Sequence, residues 1–178
     1  MPFTPYHLGP GLLIKAVMRG GFSLLVFGWA QVLMDLQPLI ALSTGRGAVH
    51  GWSHTWLGAA VIGAAAAFSG KYAADLALRI VQPRPRVSVR WRVAWVSAAI
   101  GTLSHVALDS MMHSDLHPFA PFSDAQPWLG AVSVHAIYLG CVYAGVIGAA
   151  VYLGSVAWSR TRAAKTVLPA RPDDAGES

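Results

Sequence analysis

Long apolar runs, separated by short polar connections, organise the chain. Four of them are long enough to cross a bilayer, for which about 20 apolar residues suffice. They cover residues 22–42 (FSLLVFGWAQVLMDLQPLIAL), 55–78, 93–112 and 128–157. The expected fold is therefore all-α: an integral membrane helical bundle of about four transmembrane helices plus a short N-terminal helix. The apolar part of MPFTPYHLGPGLLIKAVMRG is too short to span at ~1.5 Å per residue. A half-inserted or interfacial helix is expected there, which leaves His7 without an assigned depth. The second run is rich in Ala and Gly, which suits close helix packing. Lys71 and Asp75 near its end have the spacing of an i, i+4 ion pair. Residues 1–159 are expected to form one transmembrane domain. Residues 160–178 are polar and are expected to be a disordered cytoplasmic tail.

Composition sharpens this picture. The 178 residues are 54% hydrophobic and only 12% charged, against about 25% charged in ordinary soluble proteins. The single cysteine, Cys141, rules out both a disulfide framework and a thiolate metal site. Lys15 and Arg19 before the first run resemble the start of a signal peptide. Asp35 inside that run, and the lack of a small-x-small cleavage motif, argue against one.

The formal charge of +5 is concentrated between apolar runs rather than spread over a polar face, so nucleic acid is not an expected partner and the lipid bilayer is. Lys15 and Arg19 precede the first run. Arg79, Arg84, Arg86, Arg90 and Arg92 lie between the second and third, and Arg160, Arg162 and Lys165 follow the fourth. The 43–54 connection holds only Arg46, and the 113–127 connection has no Lys or Arg. The positive-inside rule places the basic segments in the cytoplasm and these two loops outside.

Polar residues inside the runs carry the chemistry. In GTLSHVALDSMMHSD, residues 101–115, His105, Asp109 and His113 recur every fourth position. That spacing puts them on nearly one helix face. Asp35, His105 and His135 each fall about seven residues, ~10 Å of helix, from the outer ends of their runs, with Asp109 just above. The outer loops add His50 and His54, then His113, Asp115, His117 and Asp124. An ionisable group at mid-span costs ~2.5–3.5 kcal/mol on insertion scales and faces a partner or a wet cavity. A divalent cation would neutralise Asp35 and Asp109 and take imidazole ligands, a donor set that suits zinc and also iron or manganese. A catalytic zinc keeps one position open and acidifies its water to a pKa of about 7. A nearby Asp or His then moves the proton.

Simpler readings apply to other positions. His135 is expected to hydrogen-bond to a neighbouring helix. Asp115 is expected to cap or solvate the end of the third span, and His117 and Asp124 to be solvated in a Pro-rich loop. The only Glu is Glu177, in the tail, so acid–base chemistry falls to Asp and His.

The order of these motifs resembles the YdjM-like inner-membrane metal-dependent hydrolases over roughly residues 3–125. The matching positions are His7, Asp35, His50 and His54 in HGWSHT, His105 and Asp109 in SHVALD, and Pro121 to Ser123. The acidic motif reads MDLQP here, with no proline before Asp35 and Gln37 where a second acid often lies. The family is distantly similar to zinc-dependent phospholipases C. The resemblance implies a multi-pass protein of the bacterial inner (cytoplasmic) membrane whose site opens to the outer side. It implies a divalent metal, zinc by preference, held by His7, Asp35, His50, His54, His105 and Asp109. Asp109 and His113 are the expected catalytic residues. A lipid or lipid-linked phosphoester or ester is the expected substrate. The rival class is a non-catalytic metal or proton carrier, or an assembly factor; neither class fixes the oligomeric state.

Overall fold

A computed structural model describes residues 5–81 and 88–167. The Arg84 and Arg86 connector and the tail beyond Val167 lie outside these residues. Six helices make up the described chain, with no strand among them: α1 Leu8–Met18, α2 Leu24–Met34, α3 Leu36–Thr44, α4 Trp56–Val81, α5 Trp91–Met112 and α6 Val134–Val167. A 3₁₀ turn at Pro5–His7 precedes α1, and another at Trp52–His54 leads into α4.

The expected helical bundle forms, with three candidate spans among the described residues where four were expected. Leu24–Thr44, Trp56–Val81 and Val134–Arg162 are long and apolar enough to cross a membrane. The fourth expected span, α5, is long enough but is not among them. Its buried face carries Ser97, Thr102, His105, Asp109 and Ser110, which make it less apolar than the other long helices and which turn toward protein rather than lipid. α5 packs instead in the middle, against α2 and α4.

The first apolar run bends at Asp35, where α2 ends and α3 begins. Pro38 is the cause. It lacks an N–H, and its ring conflicts with the carbonyl four residues earlier, that of Met34. The helical path resumes at once, with Asp35 N donating to Gln31 O at 3.2 Å and Leu39 N to Asp35 O at 3.0 Å. The bend places Asp35 at an inner corner, 8% exposed.

Small residues let α2, α4 and α5 approach closely. Val26, Ala30, Ala66, Ala67, Ala74, Ala94 and Ala98 form a buried cluster at the basic end of these helices. Gly101 of α5 faces Ala30 and Phe27 of α2, and Gly63 of α4 faces Thr102. At that same end Asp75 accepts from Val89 N at 2.7 Å, Ser88 Oγ at 3.0 Å and Lys71 Nζ at 2.7 Å. The i, i+4 pair expected from the sequence thus also ties the start of α5 to α4.

α1 lies along α6. Gly148 faces the backbone of Leu12 and Leu13, and Gly9 faces the backbone of Cys141. α6 itself continues through Arg160 to Val167, so helix replaces the disordered tail expected from residue 160 to that point. Most of α6 faces outward. Tyr143, Val146, Ile147 and Leu153 are 53–65% exposed, as expected of side chains whose solvent is lipid.

Candidate metal centre

Five residues from four separate segments meet at one point. Asp35 comes from the α2–α3 bend, His7 from the turn before α1, and His54 from the turn before α4. His105 and Asp109 lie one turn apart on α5. All five are buried, between 1% and 8% exposed. Asp109 is the hub. Its Oδ1 lies 3.3 Å from His7 Nε2, and its Oδ2 lies 3.4 Å from His54 Nε2 and 3.2 Å from His105 Nε2. His105 Nε2 is also 3.3 Å from Asp35 Oδ1.

These separations are not hydrogen bonds. His7 Nε2, His54 Nε2 and His105 Nε2 are fully buried polar atoms with no hydrogen-bond partner, which is costly in a dry interior. The tautomer of His105 explains why no bond forms there. Gln31 Nε2 donates to Gly101 O at 3.1 Å, which turns Gln31 Oε1 toward His105 Nδ1 at 2.5 Å. Oε1 can only accept, so Nδ1 carries the proton, and in the neutral ring Nε2 keeps its lone pair. That lone pair faces two carboxylates. Anionic oxygens and lone pairs at van der Waals distance repel unless a cation or a proton lies between them.

The spacing matches that role. A tetrahedral zinc with N and O ligands at about 2.0–2.1 Å sets neighbouring ligand atoms about 3.3–3.4 Å apart. The observed separations run from 3.2 to 3.4 Å. Ligand atoms of Asp35, His54 and His105 all lie within 4.8 Å of one another, as do those of His7, His105 and Asp109. The buried His and Asp groups can therefore hold a metal ion. Gln31 supplies the outer hydrogen bond that fixes ring orientation in metal sites.

A third group joins on the more open side: His50, Asp109 and His113 also have ligand atoms within 4.8 Å of one another. The rings of His50 and His113 stack, with centroids 4.2 Å apart. His50 Nδ1 lies 2.9 Å from Asp115 Oδ2. Burial alone would raise the Asp115 carboxyl, but the hydrogen bond from His50 holds it below its ordinary value. Asp115 is thus ionised, Nδ1 donates, and His50 Nε2 is left as an acceptor. Burial, aided by His50, lowers the pKa of His113. Burial likewise lowers those of His7 and His54, against the opposing pull of Asp109.

Local sequence sets the His54 turn. Ser53 N donates to Gln37 Oε1 at 3.0 Å, and Ser53 Oγ meets His54 Nδ1 at 2.9 Å. Thr55 caps α4, its Oγ1 accepting from Gly58 N at 2.9 Å. A side chain at Gly58 would collide with the Trp52 carbonyl, so the tight turn needs glycine there. Gln37, at the position of the expected second acid, is therefore a brace for the 51–54 turn.

All six metal ligands expected from the sequence lie in these three groups. His135 does not join them. It is exposed on α6, because α6 packs mainly on α1 and touches α5 little. This corrects the expectation that it hydrogen-bonds to a neighbouring helix at the depth of Asp35 and His105. Asp115, expected to cap or solvate the end of the third span, instead holds His50. His117 and Asp124 are exposed, with His117 Nδ1 donating to Asp124 O at 3.2 Å. The residues the sequence reading missed are Gln31 and Gln37. Gln31 stands one helical turn before Asp35, and that i, i+4 relation was the available signal. Compared with known proteins, the chain matches no family model, no curated protein and no solved structure.

Proposed function

We propose that this protein is a membrane-bound, metal-dependent hydrolase of the YdjM-like kind, acting on a phosphoester or ester of a lipid or lipid-linked molecule. One observation carries the reading: three buried imidazole nitrogens without hydrogen-bond partners converge on two buried carboxylates. Zinc is the metal of choice for a His and Asp donor set with these separations. A bound divalent cation supplies Lewis acidity and a water acidified toward neutral pH.

The chain's own residues then have distinct tasks. His54, His105, Asp35 and Asp109 hold the ion, and His7 closes the shell beside Asp109. Gln31 and Ser53 fix the rings of His105 and His54. His50 and His113 line the open side. His113 is half-buried and follows the last turn of α5, its N–H bonded to Asp109 O at 2.9 Å. Its assigned task is to accept and return a proton during hydrolysis. Asp109, expected from the sequence to be catalytic, acts as the shared ligand.

The distribution of basic residues supports an inner-membrane location with the site toward the outer face. A carrier needs a polar path through both leaflets. Below the site, toward the basic end, the described helices pack through alanines and Val26, and the next ionisable group, Asp75, is clamped by Lys71. That packing favours the enzyme over the carrier.

The test is a purified, zinc-loaded protein assayed against matched lipid and soluble phosphoesters and carboxylic esters. Metal-dependent cleavage that disappears in His105→Ala and Asp109→Asn is expected. Stoichiometric metal without cleavage of any of these would transfer the case to the carrier.

A further inference from the structure

We propose that a groove beside the candidate metal centre receives one acyl chain of a membrane phospholipid, with the phosphate end toward His50. The groove runs between the start of α4 and the 117–121 loop and has a volume of about 510 Å³. Its polar end is formed by His50 and His117, and its walls by Trp52, Leu57, Val61 and Pro121. The assignment of the polar end to the reaction rests on the hydrolase reading above. The apolar part does not depend on it.

Four observations favour this occupant. First, Leu57 and Val61 are each 55% exposed on a helix apolar enough to cross a membrane, so the groove opens sideways toward hydrocarbon. Second, the size is right. A methylene takes up roughly the volume of a water molecule, about 30 Å³, so the groove has room for about 17 of them, one ordinary acyl chain. A polyprenyl chain several times longer does not fit. Third, Trp52 in the groove wall is 59% exposed. Aromatic side chains bared in this way mark the headgroup level of a bilayer. Fourth, the otherwise apolar lining includes His50, which belongs to the open side of the metal centre. His50 shares a ligand group with Asp109 and His113. A soluble phosphoester would use the His50 end and leave the apolar walls empty.

The experiment uses the full chain reconstituted in phosphatidylethanolamine vesicles doped with phosphatidylglycerol carrying a diazirine in mid-chain. After photolysis, adducts are mapped by peptide mass spectrometry. Labelling at Leu57, Val61 and Pro121 is expected to exceed, several-fold, that at Val146 and Ile147 on the outer face of α6. Val61→Trp and, independently, Leu57→Trp should lower groove labelling by about tenfold, the equivalent of displacing two buried methylenes. The α6 adducts and the metal content should stay unchanged. Equal labelling of groove and α6, indifference to both tryptophans, or preferential labelling by a prenyl phosphate probe overturns the proposal. Groove labelling without any hydrolysis would sustain it and remove the hydrolase reading instead. Cleavage of a short-chain soluble phosphoester with no groove labelling would do the reverse.

Discussion

Gln31 gives the sharpest test of how the site is held, because its two hydrogen bonds do different work. Its Nε2 donates to Gly101 O at 3.1 Å and its Oε1 accepts from His105 Nδ1 at 2.5 Å. The side chain is only 6% exposed, so water cannot replace either bond. Gln31→Leu keeps the shape and removes both. Outer partners of this kind typically contribute 10- to 100-fold in metal affinity, or about 1.4–2.8 kcal/mol. The stranded Gly101 carbonyl and His105 N–H cost about 1–3 kcal/mol each in stability. Gln31→Glu separates the two effects. It keeps an acceptor for His105 Nδ1 and removes the donor to Gly101. Zinc affinity should survive in the Glu variant and fall in the Leu variant, while both melt earlier. The assay is competition against a chromogenic chelator in detergent, with thermal unfolding in parallel. A Leu variant that binds zinc within about twofold of wild type would refute the outer-bond argument.

Three further outcomes follow from the same geometry. Zinc at about 100 times its Kd should stabilise the folded protein by about 2.7 kcal/mol, read as a rise in Tm that is absent in Asp109→Asn. Burial holds the His7 and His54 rings below their ordinary pKa of about 6.5, so below that pH the unfolded chain binds more protons than the folded one. In the metal-free protein these two rings should therefore make the wild type lose stability relative to His7→Gln and His54→Gln as pH falls through about 6.5, and the same change in Tm between pH 7.5 and 5.5 in wild type and both variants contradicts this. Gly148→Val pushes a side chain into the backbone of Leu12 and Leu13, whereas Gly154→Val on the same helix meets open space. The first should cost about 1–3 kcal/mol and weaken metal binding by displacing His7, and the second neither; equal behaviour of the pair in melting and zinc titration would show that α1 is not seated on α6.

The sequence exposed the site's chemistry better than its architecture. The four-residue spacing of His105 and Asp109, and the intramembrane placement of Asp35, are properties of a helix axis, which hydropathy and periodicity report directly. They give depth but not rotation about the axis. His135 shows the difference. Its expected depth matched that of His105, yet α6 presents it outward because α1 occupies the inner side. The seat of α1 depends on glycines at 9, 145 and 148 meeting across helices, a pairing invisible without the contact itself. The bend at Asp35 was legible in principle, since Pro38 disrupts the carbonyl of Met34. α5 is less apolar than the other long helices for a related reason: the polar residues that made it interesting line its buried face, against α2 and α4.

The central claim is that His7, His54, His105, Asp35 and Asp109 surround a cation. X-ray absorption on the protein, purified without chelator and reloaded with zinc, tests it most directly. Stoichiometric zinc with N and O neighbours at about 2.0–2.1 Å and no sulfur is predicted, with that signal lost in His105→Ala. A wild-type protein that takes up no stoichiometric metal, or holds it unchanged in His105→Ala, would contradict the account.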